Sequence, residues 1–301
     1  MDVRHLALLR ELADRGSLAA VAAAGHRTPS AVSQQLRTAE RAAGMALVEH
    51  SGRGVRLTEA GLLLARGGAE VAAALARVDA AWDAFRGGAS GVVSVAALPS
   101  AATYLLPRLQ QLLEGTALEL RCSDDDLAEA DFAHLAADHD LVIAHSVTDD
   151  RPAGTDGLTV VPLVVEPLDV ALAADHPLAE RPWLHARDVV DERWIGVPRG
   201  YPFDSVLVAV ERATGARLDV RQRVRDNRLV EALVATSRHV AILPRFTTPT
   251  GDSGLVLREL RGVRARRHVV AVARPDRAER LAVRTVLDLL QQVAAEVASA
   301  D

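Results

Sequence analysis

One polar run carries the most legible chemistry in this chain. Thr28, Pro29, Ser30, Ser33, Gln34 and Arg37 fall within TPSAVSQQLRTAERAAG. Thr28 suits an N-cap, Pro29 suits the first helical position, and Gly44 suits a C-terminal stop. A helix between them turns Ala31, Val32, Leu36 and Ala39 or Ala43 inward, leaving Ser30, Ser33, Gln34 and Arg37 outward. A glutamine pairs bidentately with adenine, and serine tolerates several bases. Arg37, about two turns in, suits a phosphate. Two short β-type runs, 47–50 and 55–58, flank Ser51-Gly52-Arg53-Gly54 and read as a hairpin. Arg53 and Arg56 there suit a minor groove or a backbone phosphate. Taken alone, Gln34 fits a solvated helix face equally well; its order among the neighbouring elements favours nucleic acid.

Those elements are two further helices upstream. The first, 5–14, has Leu6, Leu9, Leu12 and Ala13 on one face, and Gly16 ends it. Ser17 then caps a second, 18–24, stopped by Gly25. Three short helices and a basic-tipped hairpin make the order of a winged helix-turn-helix. Residues 1–58 hold eight arginines against five acidic residues, although the whole chain has a net charge of -5. The positive segment is therefore the one suited to approach phosphate. Thr58 next caps a long helix, 59–86. Leu64, Val71, Val78 and Phe85 recur every seven residues, with Leu75 and Trp82 four after Val71 and Val78. That is a heptad seam, which favours a dimer-forming linker over a helix buried on its own domain. Gly68 reads as a weak point in it.

The segment TPSAVSQQLRTAERAAGMALVEHSGRGVRLTEAG, with MDVRHLALLRELADRGSLAAVA before it, resembles the DNA-binding signature of LysR-type transcriptional regulators. The likeness is specific over residues 1–65 and mostly topological after residue 90. Members with TPSAVSQ at this helix are the most similar, and some of those respond to basic amino acids. The chain departs from many relatives at Gln34, where they carry arginine, and at Ser237, Arg238 and His239, where glycines are usual. The resemblance implies a cytoplasmic homodimer or homotetramer. It also implies an effector domain shaped like periplasmic binding proteins, with the effector between its two halves.

The residues after the Gly87–Gly91 linker agree in type with that expectation. Helices at 100–114, 126–137, 203–214, 226–236 and 276–298 alternate with short apolar strands. Such strands imply parallel sheets covered on both faces. Adjacent strands 159–165 and 168–173, and a late return at 267–273, suggest two subdomains crossed twice by the chain. The fold expected is thus α/β. A winged helix-turn-helix (1–58) and a linker helix (59–90) precede a two-subdomain effector domain (91–301). Subdomain I covers about 91–165 and 267–301, and subdomain II about 166–266. In open α/β sheets, ligands sit beyond the carboxyl ends of strands. Those ends lead here to Ser100 and Thr103, His145 and Ser146, Arg199 and Tyr201, and Asp226 and Asn227. Ser100 also reads as an N-cap whose helix suits a carboxylate. Each of these residues has a plain structural role open to it as well, as a cap, a bonded loop histidine or a surface charge.

Other classes are disfavoured. The chain shows no GxSxG elbow, P-loop or GxGxxG, so an enzyme is not expected. An architectural DNA binder with a silent sensor fits the polar crevice loops less well. Cys122 is the sole cysteine, which excludes an intrachain disulfide, and its apolar run reads as buried. Asp124-Asp125-Asp126 lacks the spacing and glycine of a calcium loop, and no Cys/His cluster suits zinc. No cofactor is expected. No apolar run approaches the ~20 residues of a membrane span, and the N-terminus lacks a signal-peptide pattern. Double-stranded promoter DNA and a small effector, such as an amino acid or other carboxylate, are the partners expected.

Overall fold

A computed structural model describes residues 2–51, 54–124 and 132–300. Helix α1 (Val3–Arg15) opens on Asp2, whose carboxylate accepts from the Arg4 amide, and ends on left-handed Gly16. Helix α2 (Leu18–Ala24) is capped by Ser17, and α3 (Pro29–Ala43) by Thr28 with Pro29 at its first turn. Strands β1 (Val48–Ser51) and β2 (Gly54–Leu57) pair antiparallel as a hairpin. Leu8, Leu9, Leu12, Val21, Val32, Leu36, Leu47 and Leu57 form one small core beneath them. Ala31, expected inward, is exposed.

Helix α4 (Glu59–Arg86) runs 28 residues from its Thr58 cap. Its two faces differ in kind. Gly61, Ala65, Gly68, Ala73 and Ala80 are buried, whereas Val71, Leu75, Val78, Trp82 and Phe85 are exposed. Leu64 is half-buried and packs on the N-terminal core, so the bare stripe begins at Val71. Gly68 is a close-approach point instead of a flaw: a Cβ there would stand 2.7 Å from the Leu6 carbonyl oxygen of α1. At Gly61 a Cβ would collide with the Leu47 carbonyl oxygen, while at Gly67 it would meet nothing. Alanine gains about 1 kcal/mol over glycine inside a helix, and overpacking costs about 1–3. Gly67→Ala is therefore expected to raise the melting temperature. Gly61→Ala should lower it, by a net loss of up to about 2 kcal/mol.

The rest of the chain builds one continuous sheet in two halves. The strands are β3 (Gly91–Ala97), β4 (Leu118–Asp124), β5 (Leu141–Ser146), β6 (Thr159–Ala173), β7 (Trp183–His185), β8 (Arg193–Gly196), β9 (Asp219–Arg223), β10 (His239–Pro244), β11 (Leu255–Arg261) and β12 (Arg266–Ala273). Helices α5 (Pro99–Leu113), α6 (Phe132–Leu135), α7 (Ala186–Val189), α8 (Asp204–Thr214), α9 (Asn227–Ala235), α10 (Pro275–Ala278) and α11 (Leu281–Ala300) connect or cover them. The sheet order is β4-β3-β5-β12-β6-β10-β8-β9, with β11 on β6 and β7 on β11. Pairs β3–β4, β3–β5, β8–β9 and β8–β10 are parallel, as short apolar strands between helices require. The expectation of purely parallel sheets fails at β6 and β12, which run antiparallel to their neighbours.

Strands 159–165 and 168–173 are one strand, not two. Up to Pro167, β6 pairs with β12; from Leu168 on it pairs with β10. Pro167 lacks an N–H to donate, and it falls where one ladder gives way to the next. Two apolar cores flank this changeover. One holds Val95, Leu105, Leu141, Ile143, Val270 and Leu290; the other holds Leu168, Leu172, Trp194, Val206 and Val240. The turn at Ser237–His239 closes without glycine: the Ser237 hydroxyl donates to the Leu233 carbonyl and accepts from the His239 amide. Cys122 is exposed, contrary to expectation, because β4 is an edge strand.

Candidate functional site

Two regions gather the polar residues singled out above. The first is the outer face of α3. Thr28, Pro29, Ser30, Gln34 and Arg37 are exposed there, and Ser33 is half-buried. The adjacent Gln35 is committed: its amide donates to the Arg4 carbonyl, and its oxygen accepts from Arg27 at 2.7 Å. Gln34 makes no side-chain hydrogen bond among the described residues, which leaves both its donor and acceptor outward. Arg37 has no acidic partner among them either. Arg56 is exposed on β2, with its guanidinium 2.7 Å from Glu49 across the hairpin. Arg53 lies outside the described residues, as do Asp125 and Asp126.

The second region is a cavity of about 380 Å³ where the two halves of the sheet face each other. That volume lies within the range of small-molecule sites, roughly 300–1,000 Å³. Ser100, Thr103, His145 and Arg267 reach it from one half, and Tyr201, Phe203, Asp226 and Asn227 from the other. Six of the eight crevice residues read from sequence thus share one cavity. Ser146 and Arg199 do not line it. Ser146 is buried with its hydroxyl 3.0 Å from that of Thr148, and Arg199 is exposed on its loop.

Ser100 is not the N-cap of α5. Leu98 holds that place, with Pro99 following at the first turn. Its hydroxyl instead accepts from Arg267 Nη1 at 2.8 Å. Asp226 does cap α9, accepting from the Leu229 amide at 2.8 Å. Asn227 begins that helix beside Arg228, which pairs with Glu231 at 3.0 Å on the cavity wall. Arg225 lies 5.4 Å over the Tyr201 ring.

The floor is an ion pair that the sequence reading missed. Arg267 and Glu166 are cross-strand partners of β12 and β6, both fully buried. Arg267 Nε donates to Glu166 Oε2 at 2.7 Å, and Nη2 stands 2.5 Å from the same oxygen. Glu166 Oε1 accepts from the Phe246 amide at 3.0 Å. Arg267 Nη1 also faces His145 Nδ1 at 3.2 Å. An arginine only donates, so Nδ1 must present its lone pair and the histidine proton sits on Nε2. Only half of the signal was available: Glu166 interrupts an apolar run, where a lone buried charge is prohibitive, whereas Arg267 belongs to the basic stretch Arg264–His268.

Burial, and then the Arg267 charge, hold the His145 pKa well below its ordinary value. The unfolded chain binds a proton below about pH 6.5 that the folded chain refuses. Stability is thus complete above that pH and falls as the solution is acidified. Unfolding midpoints taken between pH 7 and 5 should drop less steeply in His145→Gln than in the parent chain.

The chain matches two family profiles. Residues 3–62 match "Bacterial regulatory helix-turn-helix protein, lysR family", and residues 86–295 match "LysR substrate binding domain". The DNA-binding transcriptional dual regulator OxyR of Escherichia coli is 26% identical over 249 residues, covering 83% of this chain and 81% of that protein. A full-length OxyR variant from Pseudomonas aeruginosa has a similar fold, with a TM-score of 0.66 at 17% identity, covering 98% of this chain and 94% of that one. A Corynebacterium glutamicum OxyR mutant gives 0.60 at 22% identity, covering 99% and 94%.

Proposed function

This chain belongs to the LysR family of DNA-binding transcriptional regulators, and we propose that its effector is a small carboxylate, such as an amino acid, held in the cavity between the two sheet halves. The observation that carries this reading is the shared lining. Ser100, Thr103 and Arg267 from one half oppose Tyr201, Asp226 and Asn227 from the other, so a ligand there touches both. Differential affinity for two arrangements of those halves is the means by which a ligand shifts their equilibrium. Subdomain I comprises about 91–165 and 267–301, and subdomain II about 166–266, with the Glu166–Arg267 pair at their junction. Thr28, Pro29, Ser30, Ser33, Gln34 and Arg37 enter the major groove of promoter DNA, and Arg56 grips beside it with Arg53.

The exposed stripe Val71, Leu75, Val78, Trp82 and Phe85 seats a second copy of the chain, with Leu64 at its inner end. Trp82 and Phe85 stack at 5.7 Å within it. A homodimer or homotetramer in the cytoplasm follows. No helix among the described residues is long and apolar enough to cross a membrane. The peroxide response named for some relatives is a poorer fit. A peroxide-sensing thiol works as a low-pKa thiolate, usually beside a resolving cysteine. Cys122 is alone, and desolvation by the neighbouring protein atoms pushes its thiol pKa up although the residue is exposed.

Two measurements test the proposal. A labelled fragment from beside its own gene should bind in preference to unrelated DNA at physiological salt; equal affinity for both would refute promoter reading. A thermal-shift screen of amino acids and carboxylates should raise the melting temperature, since a ligand at 100 times its Kd adds about 2.7 kcal/mol to the native state. The shift should vanish in Asn227→Ala. A shift that persists there places the ligand elsewhere.

A further inference from the structure

The reading head and the sensor of one chain are joined by ion pairs. Arg274, only 4% exposed, follows β12 directly. Its Nη1 lies 2.8 Å from Glu11 and 3.3 Å from Asp14, both on α1. Arg10 of α1 answers with Asp276 of α10 at 2.9 Å. Arg15 reaches Asp138 at 2.8 Å and the Ala137 carbonyl at 3.0 Å, just before β5. The contact is incompletely satisfied. Arg10 Nε, Asp14 Oδ2 and Arg274 Nη2 are buried without a hydrogen bond. Burial pushes the Asp14 carboxyl pKa up even beside Arg274. Water would satisfy all three groups if the surfaces parted, which lowers the cost of opening.

The same strands touch the cavity at their other ends. β12 carries Arg267 at the cavity and is followed by Arg274 at the α1 contact. Seven residues of strand span about 23 Å. Its partner β5 carries His145 at the cavity and follows Asp138 and Asp140 at the far end; Val269 pairs with His145, and Val272 with Val142. Asp140 anchors that end, accepting from Ser94 and Arg280. A shift of Arg267 along the strand axis is therefore delivered to Arg274 through a buried, doubly paired strand.

We propose that α1 and the β12–α10 corner form an intramolecular latch, and that β12 makes its closure depend on the state of the cavity. Ligand control through that cavity rests on the effector reading above; the latch itself does not. The exposed face of α3 stays bare when the latch is closed. Its effect is thus to fix the angle of the reading head, and so half-site spacing, without masking the DNA-reading surface.

The test uses the full chain with spin labels on native Cys122 and on a cysteine introduced at exposed Ala42, diluted in unlabelled protein. The parent should give one narrow intramolecular distance. Arg274→Gln and the milder pair Glu11→Gln with Asp14→Asn should each at least double its width. Removing the buried pair at the cavity floor, with Glu166→Gln and Arg267→Met together, should broaden it as well, from the far end of β12. An unchanged width in both latch variants overturns the latch. Broadening there but not in the cavity variant overturns the coupling. No effector is needed, so a failed ligand screen and a failed latch are separate results.

Discussion

Replacing Arg267 alone by methionine is expected to destabilise the C-terminal domain by about 3–5 kcal/mol, the cost of leaving a buried charge without its partner. Glu166 is fully buried and has, among the described residues, only the Phe246 amide as a remaining donor. Ser100 and His145 lose a donor at the same time. Pairing the change with Glu166→Gln should recover most of the loss. The glutamine carbonyl still accepts from Phe246, and no charge is left buried without its partner. Urea midpoints read from Trp194, which is fully buried in the other half, would report the difference. A single variant as stable as the double would mean that Glu166 finds water or a proton, and that the floor of the cavity is wetter than its exposure implies. The pair is weak evidence for stability in itself. Its position at the strand changeover, with an arginine reaching Ser100 and His145 on the cavity wall, makes it the support on which that wall is built.

How far this was legible in the sequence depends on the range of each interaction. Local signals sufficed for α2 and α3, whose starts and stops are set by Ser17, Thr28, Pro29 and Gly44. The cavity loops were legible because strand ends are, and Ser100, Thr103, His145, Tyr201, Asp226 and Asn227 do converge. What failed was decided by distant parts of the chain. Glu166 and Arg267 are 101 positions apart, so no window contains both. Cys122 follows an apolar run yet is exposed, since which strand lies at the edge is a property of the whole sheet. Gly68 looked like a gap in a seam because the seam was visible and α1, packed on the opposite face, was not. The expected gap between strands 159–165 and 168–173 is instead a change of hydrogen-bonding partner within one strand.

Gln34 and Arg37 should fail differently when truncated, and that difference decides how α3 meets DNA. A bidentate glutamine–adenine contact is worth about 1–3 kcal/mol of discrimination, or roughly 5- to 150-fold. Gln34→Ala should lose that factor on the preferred site and very little on unrelated sequence. Arg37→Ala should weaken both alike and reduce the slope of log affinity against log salt by about one, the signature of a lost phosphate contact. The structure permits this division. Gln34 has an uncommitted amide one turn ahead of Arg37 on the same exposed face, whereas Gln35 is tied to Arg4 and Arg27. Gln35→Ala serves as the control: it should disturb the seating of α3 on α1 and lower the melting temperature more than it changes sequence preference. If Arg37→Ala instead relaxes preference at one base and leaves the salt slope alone, the helix sits deeper in the groove than proposed. Arg37 would then be the base reader, and Gln34 would lie nearer the rim.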